Sequence, residues 1–221
     1  MRVTIETTAD GSPTFYREDL DEHYHSVKGA LVEGNHVYVH SGWRHATPTD
    51  GCVRVFEVGF GSGLNAALTA DAAIQSGIAT EYYSVELYPL SQHDTAVYAE
   101  GLPERLRDVF QAVNSTPWQQ SSQINPFFTL VKLEDDLLTM HLPLQPDVVY
   151  FDAFAPEKQP EMWDESIFRK IYEAMKPGGI LVTYCAKGAI RRMLNDIGFK
   201  TERLPGPPGG KREILRATVP D

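Results

Sequence analysis

Short apolar runs alternate with amphipathic segments along most of the chain after residue 51. Five runs rich in β-branched and aromatic residues are predicted strands: VRVFEVG (53–59), EYYSVEL (81–87), FFTLVKL (127–133), PDVVYFD (146–152) and GILVTYC (179–185). Four segments between or after them are predicted helices: ALTADAAIQSG (67–77), SQHDTAVYAE (91–100), MWDESIFRKIYEAM (162–175) and AIRRMLNDIG (189–198). Strands separated by helices indicate a parallel sheet that is covered on both faces.

The two ends of the chain depart from this alternation. The last two apolar runs, FKTERL (199–204) and KREILRATV (211–219), are separated only by PGPPGG, which predicts an antiparallel hairpin at the end of the sheet. Residues 1–50 contain short runs such as HVYVH and are interpreted as a small β-rich extension that packs on the core of residues 51–221. The polar segment 108–126 is predicted to be an irregular insertion. The whole chain, residues 1–221, is expected to be one α/β domain.

Length and charge narrow the class of protein. No apolar run approaches the roughly 20 residues of a membrane span, and the first residues lack the apolar core of a signal peptide. These features predict a cytoplasmic protein without a membrane partner. The net charge of −10 argues against bulk affinity for nucleic acid. However, residues 187–216 carry a net charge of +5 and the remainder carries −15, so one basic face could bind a polyanion.

The histidines near the N-terminus raise the question of a metal site. Five of the seven histidines are His23, His25, His36, His40 and His45. Their spacing fits no familiar zinc pattern and no cysteine lies among them, so packing or surface roles are favoured and no metal is predicted.

A glycine-rich loop, FEVGFGSGLN, follows the first strand of the α/β region. Gly59, Gly61 and Gly63 permit a tight strand-to-helix turn whose backbone approaches a ligand closely, and Phe60 lies between the first two. The loop lacks the GK[ST] ending of a P-loop. A dinucleotide fingerprint would have a small residue where Leu64 stands. Glu57, directly before the glycines, would repel a pyrophosphate but would suit a cofactor with a cationic amino-acid end.

Four acidic residues, Glu57, Glu86, Asp135 and Asp152, fall at the carboxyl ends of four successive predicted strands. Open α/β sheets bind their ligands at this edge. Glu86 is placed to accept hydrogen bonds from ribose hydroxyls, and Asp135 to reach the edge of an adenine. Any one of these acids alone would more simply be a helix cap or a solvated side chain. Together with the glycine loop they favour S-adenosylmethionine, whose sulfonium an acidic crevice attracts.

The residues that carry chemistry also resemble a known family. EVGFGSGLN (57–65), SVELYPL (84–90), FDAFAPEKQPEMW (151–163), PGGILVTY (177–184) and GGKREIL (209–215) are similar to the methyltransferase domain of MnmC, and the similarity extends from about Asp19 to Ala217. The block DAFAPEKQPEMW is the specific part, whereas the glycine loop and PGG are shared with many methyltransferases. MnmC completes 5-methylaminomethyl-2-thiouridine at the tRNA wobble position.

The resemblance implies a class I Rossmann-like fold, S-adenosylmethionine as methyl donor and an aminomethyl-uridine of tRNA as acceptor. Glu57, Gly59, Gly61 and Glu86 correspond by motif to cofactor contacts, and Asp152 to the acceptor site. The fused form of MnmC carries an FAD-dependent oxidase, of which this sequence shows no trace. The chain is therefore expected to be of the standalone type, acting on aminomethyl-uridine made by another route.

The FDAFAP loop is the predicted catalytic segment. The acceptor is a primary amine, largely protonated near neutral pH, and Asp152 is expected to orient it while also lying beside the cofactor. Phe154, and Phe151 where it faces the pocket, could stack on the uracil or lie near the sulfonium. Trp163 is expected to pack in the core. The predicted RNA contacts are Lys187, Arg191, Arg192, Lys211 and Arg212.

Two other functions remain open from the sequence. One is a small-molecule amine methyltransferase or an aminopropyltransferase-like enzyme of the same fold, for which the basic C-terminal segment would have no use. The other is a non-catalytic module that binds a cofactor or RNA, for which an acid at the methyl-transfer point would have no use.

Overall fold

The computed structural model of the protein describes residues 2–48 and 50–221. The strands are β1 (Val3–Thr7), β2 (Pro13–Arg17), β3 (Glu22–His23), β4 (Cys52–Val58), β5 (Ala79–Glu86), β6 (Ser121–Asn125), β7 (Phe128–Glu134), β8 (Val148–Phe151), β9 (Ile180–Thr183), β10 (Lys200–Pro205) and β11 (Glu213–Thr218). The helices are α1 (Ala30–Glu33), α2 (Leu64–Ser76), α3 (Gln92–Glu100), α4 (Glu104–Ser115), α5 (Glu165–Ala174) and α6 (Gly188–Ile197). Within the two described ranges, no helix has the length and apolarity needed to cross a membrane.

The main sheet has the order β10-β11-β9-β8-β4-β5-β7-β6. Strands β4, β5, β7, β8 and β9 are parallel, as the alternation of strands and helices predicts. The final two strands form the predicted hairpin, and β11 runs antiparallel to β9. The strand order reverses between β4, which pairs with β5, and β8 on its other side. Open α/β sheets form a ligand crevice at such a reversal, outside the carboxyl ends of the strands.

The N-terminal extension is only partly β-structure. Strands β1, β2 and β3 form a small antiparallel sheet, as predicted. The HVYVH run, in contrast, belongs to a π-helical turn over Gly34–His40, so its interpretation as a strand-like run was wrong. Val37, Tyr38 and Val39 are all buried, and three consecutive buried residues do not fit the two-faced alternation of an edge strand. This turn packs against α2 and lies close to β9.

Residues 108–126 are ordered structure, which corrects the prediction of an irregular insertion. Helix α4 runs through Ser115, and β6 forms an antiparallel edge strand beside β7. Leu106, Phe110 and Val113 are buried at the spacing that places residues on one helix face. The many polar residues of the segment hid this narrow apolar stripe.

Apolar side chains fill both faces of the main sheet. One cluster joins α2, α3, α4 and the N-terminal extension, and the other joins α5, α6 and the C-terminal strands. Helix α2 approaches the sheet closely because it presents alanines, among them Ala66, Ala67 and Ala70, all fully buried. The cavity described below lies at the carboxyl ends of the central strands.

Candidate active site

A cavity of about 290 Å³ lies at the carboxyl ends of β4, β5, β7 and β8. Its floor consists of the loops that follow these strands, and its roof includes residues 22–27 of the N-terminal extension. Of the four strand-end acids, Glu86, Asp135 and Asp152 line the cavity, whereas Glu57 does not. The sequence therefore predicted the location of the cavity and three of its carboxylates.

The glycine loop forms one wall. Gly59, Phe60 and Gly61 line the cavity, while Gly63 lies behind it at the start of α2. Gly59 has a φ of +87°, and a Cβ there would lie 2.9 Å from the backbone oxygen of Asp152. Because that neighbour is backbone, it could not move aside cheaply. Glycine at this position therefore allows the loops after β4 and β8 to meet.

Glu86 is held in place by the backbone of two loops. Its Oε2 accepts a hydrogen bond from the amide of Gly61 at 3.1 Å, and its Oε1 accepts one from the amide of Tyr88 at 2.9 Å. Each carboxylate oxygen retains capacity to accept a further hydrogen bond from a ligand. The main-chain oxygen of Glu86 accepts a hydrogen bond from the amide of Asp135 at 3.2 Å, which links the ends of β5 and β7.

Glu57 is fully buried beneath the cavity. Its Oε2 accepts a hydrogen bond from the hydroxyl of Ser84 at 2.6 Å, and burial raises its pKa to about 8. Successive strand residues face opposite sides of a sheet, and here Val58 rather than Glu57 lines the cavity. Direct contact between Glu57 and a cofactor stays a prediction, and this geometry does not support it.

Asp152 is held in place by two side chains. One carboxylate oxygen accepts a hydrogen bond from the hydroxyl of Tyr38, and the other accepts one from the side-chain amide of Asn65 at 2.8 Å. Burial raises the pKa of Asp152 to about 6, against the opposing effects of these two hydrogen bonds and of the Lys211 charge. The carboxylate is thus mostly ionised at pH 7, yet close to its titration range.

The aromatic residues of the FDAFAP loop face different ways. Phe154 lines the cavity, and its ring makes an edge contact with Tyr24 at a centroid distance of 5.0 Å. Phe151 is fully buried against Trp163 and Phe168. It therefore belongs to the core and does not face the pocket, as the sequence had allowed. Trp163 is also buried, and its Nε1 donates a hydrogen bond to the Phe154 oxygen at 2.7 Å, which anchors the loop.

Several known proteins are similar to this chain in sequence or in fold. A family described as S-adenosyl-L-methionine-dependent methyltransferase matches residues 119–220. The bifunctional protein MnmC of tRNA 5-methylaminomethyl-2-thiouridine biosynthesis from Pseudomonas savastanoi pv. phaseolicola is 34% identical over 97% of the chain, and that from Ralstonia nicotianae is 29% identical over 99%. The crystal structure of MnmC2 from Aquifex aeolicus aligns with 100% of the chain and 72% of its own, with a TM-score of 0.79 and 26% identity.

The chain belongs to the MnmC-type methyltransferase domains. It spans about a third of the length of the bifunctional relatives, 34% in both cases. Its class I methyltransferase fold agrees with the expectation from the sequence, and the description of the matching family supports the expected enzyme class and cofactor.

The MnmC-type cavity contains several residues that the sequence analysis missed. Tyr38 and Asn65 hold Asp152, and Tyr24, Glu33 and Tyr184 line the cavity itself. Asn65 ends the quoted glycine motif and could have been noticed there. Tyr38 gave no such signal, because it lies in the run that was interpreted as strand-like.

The predicted RNA contacts of this MnmC-type chain stay a prediction, and their surroundings differ. Lys187 pairs with the carboxylate of Glu157, and the Nε of Arg191 is buried. Arg192 and Arg212 are exposed. Lys211 is also exposed, yet its side chain lines the cavity and its ammonium lies 3.4 Å from the centroid of the Tyr184 ring.

Proposed function

We propose that this protein is an S-adenosylmethionine-dependent N-methyltransferase that acts in the cytoplasm on 5-aminomethyl-(2-thio)uridine at the tRNA wobble position. The observation that carries this proposal is the Asp152 carboxylate, held by Tyr38 and Asn65 inside a cavity bounded by Glu86 and Phe154. The names of the bifunctional relatives, which refer to tRNA 5-methylaminomethyl-2-thiouridine biosynthesis, support the choice of acceptor.

The cavity residues fit the cofactor. Glu86 would bind the ribose hydroxyls with the acceptor capacity that its two backbone hydrogen bonds leave unused. Asp135 would meet the adenine, and the glycine loop at Gly59–Gly61 would lie against the amino-acid end. When bound, S-adenosylmethionine supplies a methyl group on a positively charged sulfonium. The acidic side chains that line the cavity favour such a cation, whereas Glu57, with a pKa of about 8, contributes little charge at pH 7.

Asp152 would orient the acceptor amine. Its two oxygens already accept hydrogen bonds from Tyr38 and Asn65, which fix the plane of the carboxylate before any substrate arrives. The remaining lone pairs can accept an N–H from the neutral amine, the form whose nitrogen lone pair can react, and balance the positive charge that develops on that nitrogen. A group held in this way lowers the ordering cost of reaching the reactive geometry.

Aromatic walls would hold the base of the acceptor. Phe154 and Tyr24 line the same cavity as Asp152, and the face of a uracil can stack on such rings. Trp163 fixes the Phe154 backbone by its hydrogen bond, so this wall is positioned by the protein core.

The RNA itself would be bound outside the cavity by exposed cations. Arg192 and Arg212 are exposed near the C-terminal side of the molecule, while Lys187 could exchange its Glu157 partner for a phosphate. This basic segment favours tRNA over a free amine as the acceptor.

The deciding experiment measures methyl transfer from labelled S-adenosylmethionine to tRNA that lacks the terminal methyl group, followed by nucleoside analysis. We expect label in 5-methylaminomethyl-(2-thio)uridine. Label that enters a set of small primary amines but never the tRNA would replace the proposal with the small-molecule alternative. Tight cofactor binding without transfer to either class would indicate a non-catalytic module.

A further inference from the structure

Lys211 has an unusual environment for a lysine near the surface. Its side chain lines the same cavity as Asp152 and Glu33, and its ammonium lies over the ring of Tyr184 at 3.4 Å from the centroid. A cation above an aromatic face is attracted by the electron density of the ring. Tyr184 is itself fixed, because its hydroxyl donates a hydrogen bond to the Ala153 oxygen at 2.9 Å.

Two carboxylates complete these surroundings. Glu33 is only 6% exposed, and its Oε1 accepts a hydrogen bond from the Ser26 amide at 2.9 Å. Burial lowers the pKa of Lys211, and the charges of Glu33 and Asp152 oppose that effect. Burial also raises the pKa of Glu33; the Lys211 charge opposes this effect, and the Asp152 charge adds to it. The buried Glu33 and the half-buried Asp152 thus line the same cavity as the Tyr184 ring, and two carboxylates beside an aromatic face suit an ammonium ion.

The ammonium of Lys211 is held there without a direct ion pair. In the described ranges, no carboxylate oxygen lies within 4.0 Å of it. Its attraction to Glu33 and Asp152 therefore acts over a longer distance, and its close contact is the Tyr184 ring. A competing cation that formed hydrogen bonds directly to these carboxylates would replace a weaker interaction with a stronger one.

The loop that carries Lys211 is closed at its base. The amide of Gly206 donates a hydrogen bond to the Arg212 oxygen at 2.9 Å, and a Cβ on Gly206 would lie 1.7 Å from the Lys211 oxygen. Glycine is therefore required where the two sides of the loop meet. Because the backbone is tied at this point, the lysine can leave the cavity by rotating its own four-carbon side chain.

We propose that Lys211 competes with the aminomethyl group of the acceptor for one ammonium subsite, formed by Glu33, Asp152 and the ring face of Tyr184. This inference rests on the function proposed above, because it names the part of the site that recognises the acceptor amine. When an acceptor amine takes the subsite, the Lys211 ammonium turns outward. There it can pair with a phosphate of the RNA. Binding of the acceptor amine in the cavity and binding of the RNA phosphate by Lys211 then strengthen each other.

The competition has a measurable consequence for a small acceptor. If Lys211 occupies the subsite for part of the time, the apparent dissociation constant of an incoming ammonium rises in proportion. A free nucleoside has no phosphate, so it experiences only this competition. Removing the lysine charge should therefore strengthen nucleoside binding and weaken tRNA binding, whereas a simple phosphate contact would affect tRNA alone.

The test uses the full chain saturated with S-adenosylhomocysteine, with 5-aminomethyluridine as the probe and uridine as its uncharged partner in calorimetry. We expect Lys211→Met to bind 5-aminomethyluridine about threefold or more tightly than the wild type does, with unchanged affinity for uridine. Lys200→Met, which removes an exposed lysine that does not line the cavity, should leave both nucleosides unaffected. Glu33→Gln retains an acceptor for the Ser26 amide and should weaken binding of 5-aminomethyluridine only.

Several results would overturn the proposal. Unchanged or weaker binding of 5-aminomethyluridine to Lys211→Met would make Lys211 a phosphate contact alone. Equal losses for both nucleosides in Glu33→Gln would make Glu33 a structural residue, and no nucleoside binding by any form at millimolar concentration would also count against the subsite. The tRNA methylation assay on the wild type distinguishes failure of this inference from failure of the proposed function. If the wild type methylates tRNA but Lys211→Met does not bind 5-aminomethyluridine more tightly, only this inference is refuted. If the variants bind the nucleosides as expected but the wild type does not methylate tRNA, only the assignment of tRNA as acceptor is refuted.

Discussion

The hydroxyl of Tyr38 donates a hydrogen bond to the carboxylate of Asp152, which lies 114 residues further along the chain. Tyr38 belongs to the π-helical turn of the N-terminal extension, and Asp152 follows β8 of the main sheet. The extension therefore does more than cover the sheet, because it supplies one of the two groups that orient the central carboxylate.

Tyr38→Phe should shift the pH dependence of activity. Losing a hydrogen bond to an ionised carboxylate destabilises the charged form by about 1.5–3 kcal/mol, so the pKa of Asp152 should rise above its present value of about 6. The acidic limb of kcat/KM should move to higher pH by roughly 1–2 units. Tyr16→Phe, which removes a hydroxyl bonded to the exposed Asp21, is the matched control and should leave the profile in place. If the acidic limb of the kcat/KM profile does not move in Tyr38→Phe, ionisation of Asp152 does not control that limb.

Asp152→Asn should fold, bind S-adenosylmethionine and turn over slowly. The substitution keeps the size of the side chain but removes its negative charge. A charge that stabilises the transition state in an enclosed site is typically worth about 3 kcal/mol, so we expect kcat to fall by at least tenfold. Single-turnover rates with saturating tRNA and cofactor measure this directly. A wild-type rate would show that Asp152 is structural and that the chemistry takes place elsewhere.

Glu86→Ala should weaken the binding of S-adenosylmethionine by about 1.5–3 kcal/mol, because it removes charged hydrogen-bond acceptors from the proposed ribose site. Glu134, the register partner of Glu86 on β7, is exposed and does not line the cavity. Glu134→Ala therefore removes a neighbouring charge without touching the site and should keep wild-type affinity. Equal affinities of the two variants in calorimetry would exclude Glu86 from the cofactor site.

Arg192→Glu should raise the KM for tRNA and leave cofactor affinity unchanged. The side chain is exposed, and each phosphate contact that is lost should reduce the salt dependence of tRNA binding by about one unit of slope. Lys200→Glu makes the same kind of charge reversal at another exposed position of the basic segment and should have the smaller effect. tRNA binding that does not vary with salt would contradict the RNA assignment. Arg191 is a poorer choice for this test, since its Nε is buried and reversal would disturb folding.

Glu57→Gln should make folding less sensitive to pH. Burial raises the folded-state pKa of Glu57 from 4.5 to about 8, so the unfolded chain releases this proton first as pH rises. The stability that protonated Glu57 provides is fully present below pH 4.5 and is lost progressively up to about pH 8. Between pH 5 and pH 7 the wild type should lose about 2–3 kcal/mol relative to the variant, measured by urea unfolding. Parallel stability curves for the two proteins would show that Glu57 is ionised in the fold.

The strand-end pattern was sufficient to predict the position of the cavity and part of its lining. Parallel strands align their carboxyl ends at one edge, so acids that end β5, β7 and β8 necessarily meet there. The same reasoning did not show that Glu57 is buried beneath the cavity, because strand parity decides which side of the sheet a side chain faces. It also failed for Phe151, since both faces of a central strand are apolar and only packing distinguishes the core from the cavity.

The sequence by itself determined the alternation of strands and helices, the C-terminal hairpin, the glycine loop and the acids Glu86, Asp135 and Asp152. Each of these depends on local periodicity or on a backbone conformation that few residues can adopt. Only the tertiary structure brought Tyr38 and Asn65 to Asp152, and Glu33 and Tyr184 to Lys211. These groups come from segments far apart in the chain. Their proximity follows from how the N-terminal extension and the C-terminal hairpin pack on the sheet, and no local pattern of residues encodes that packing.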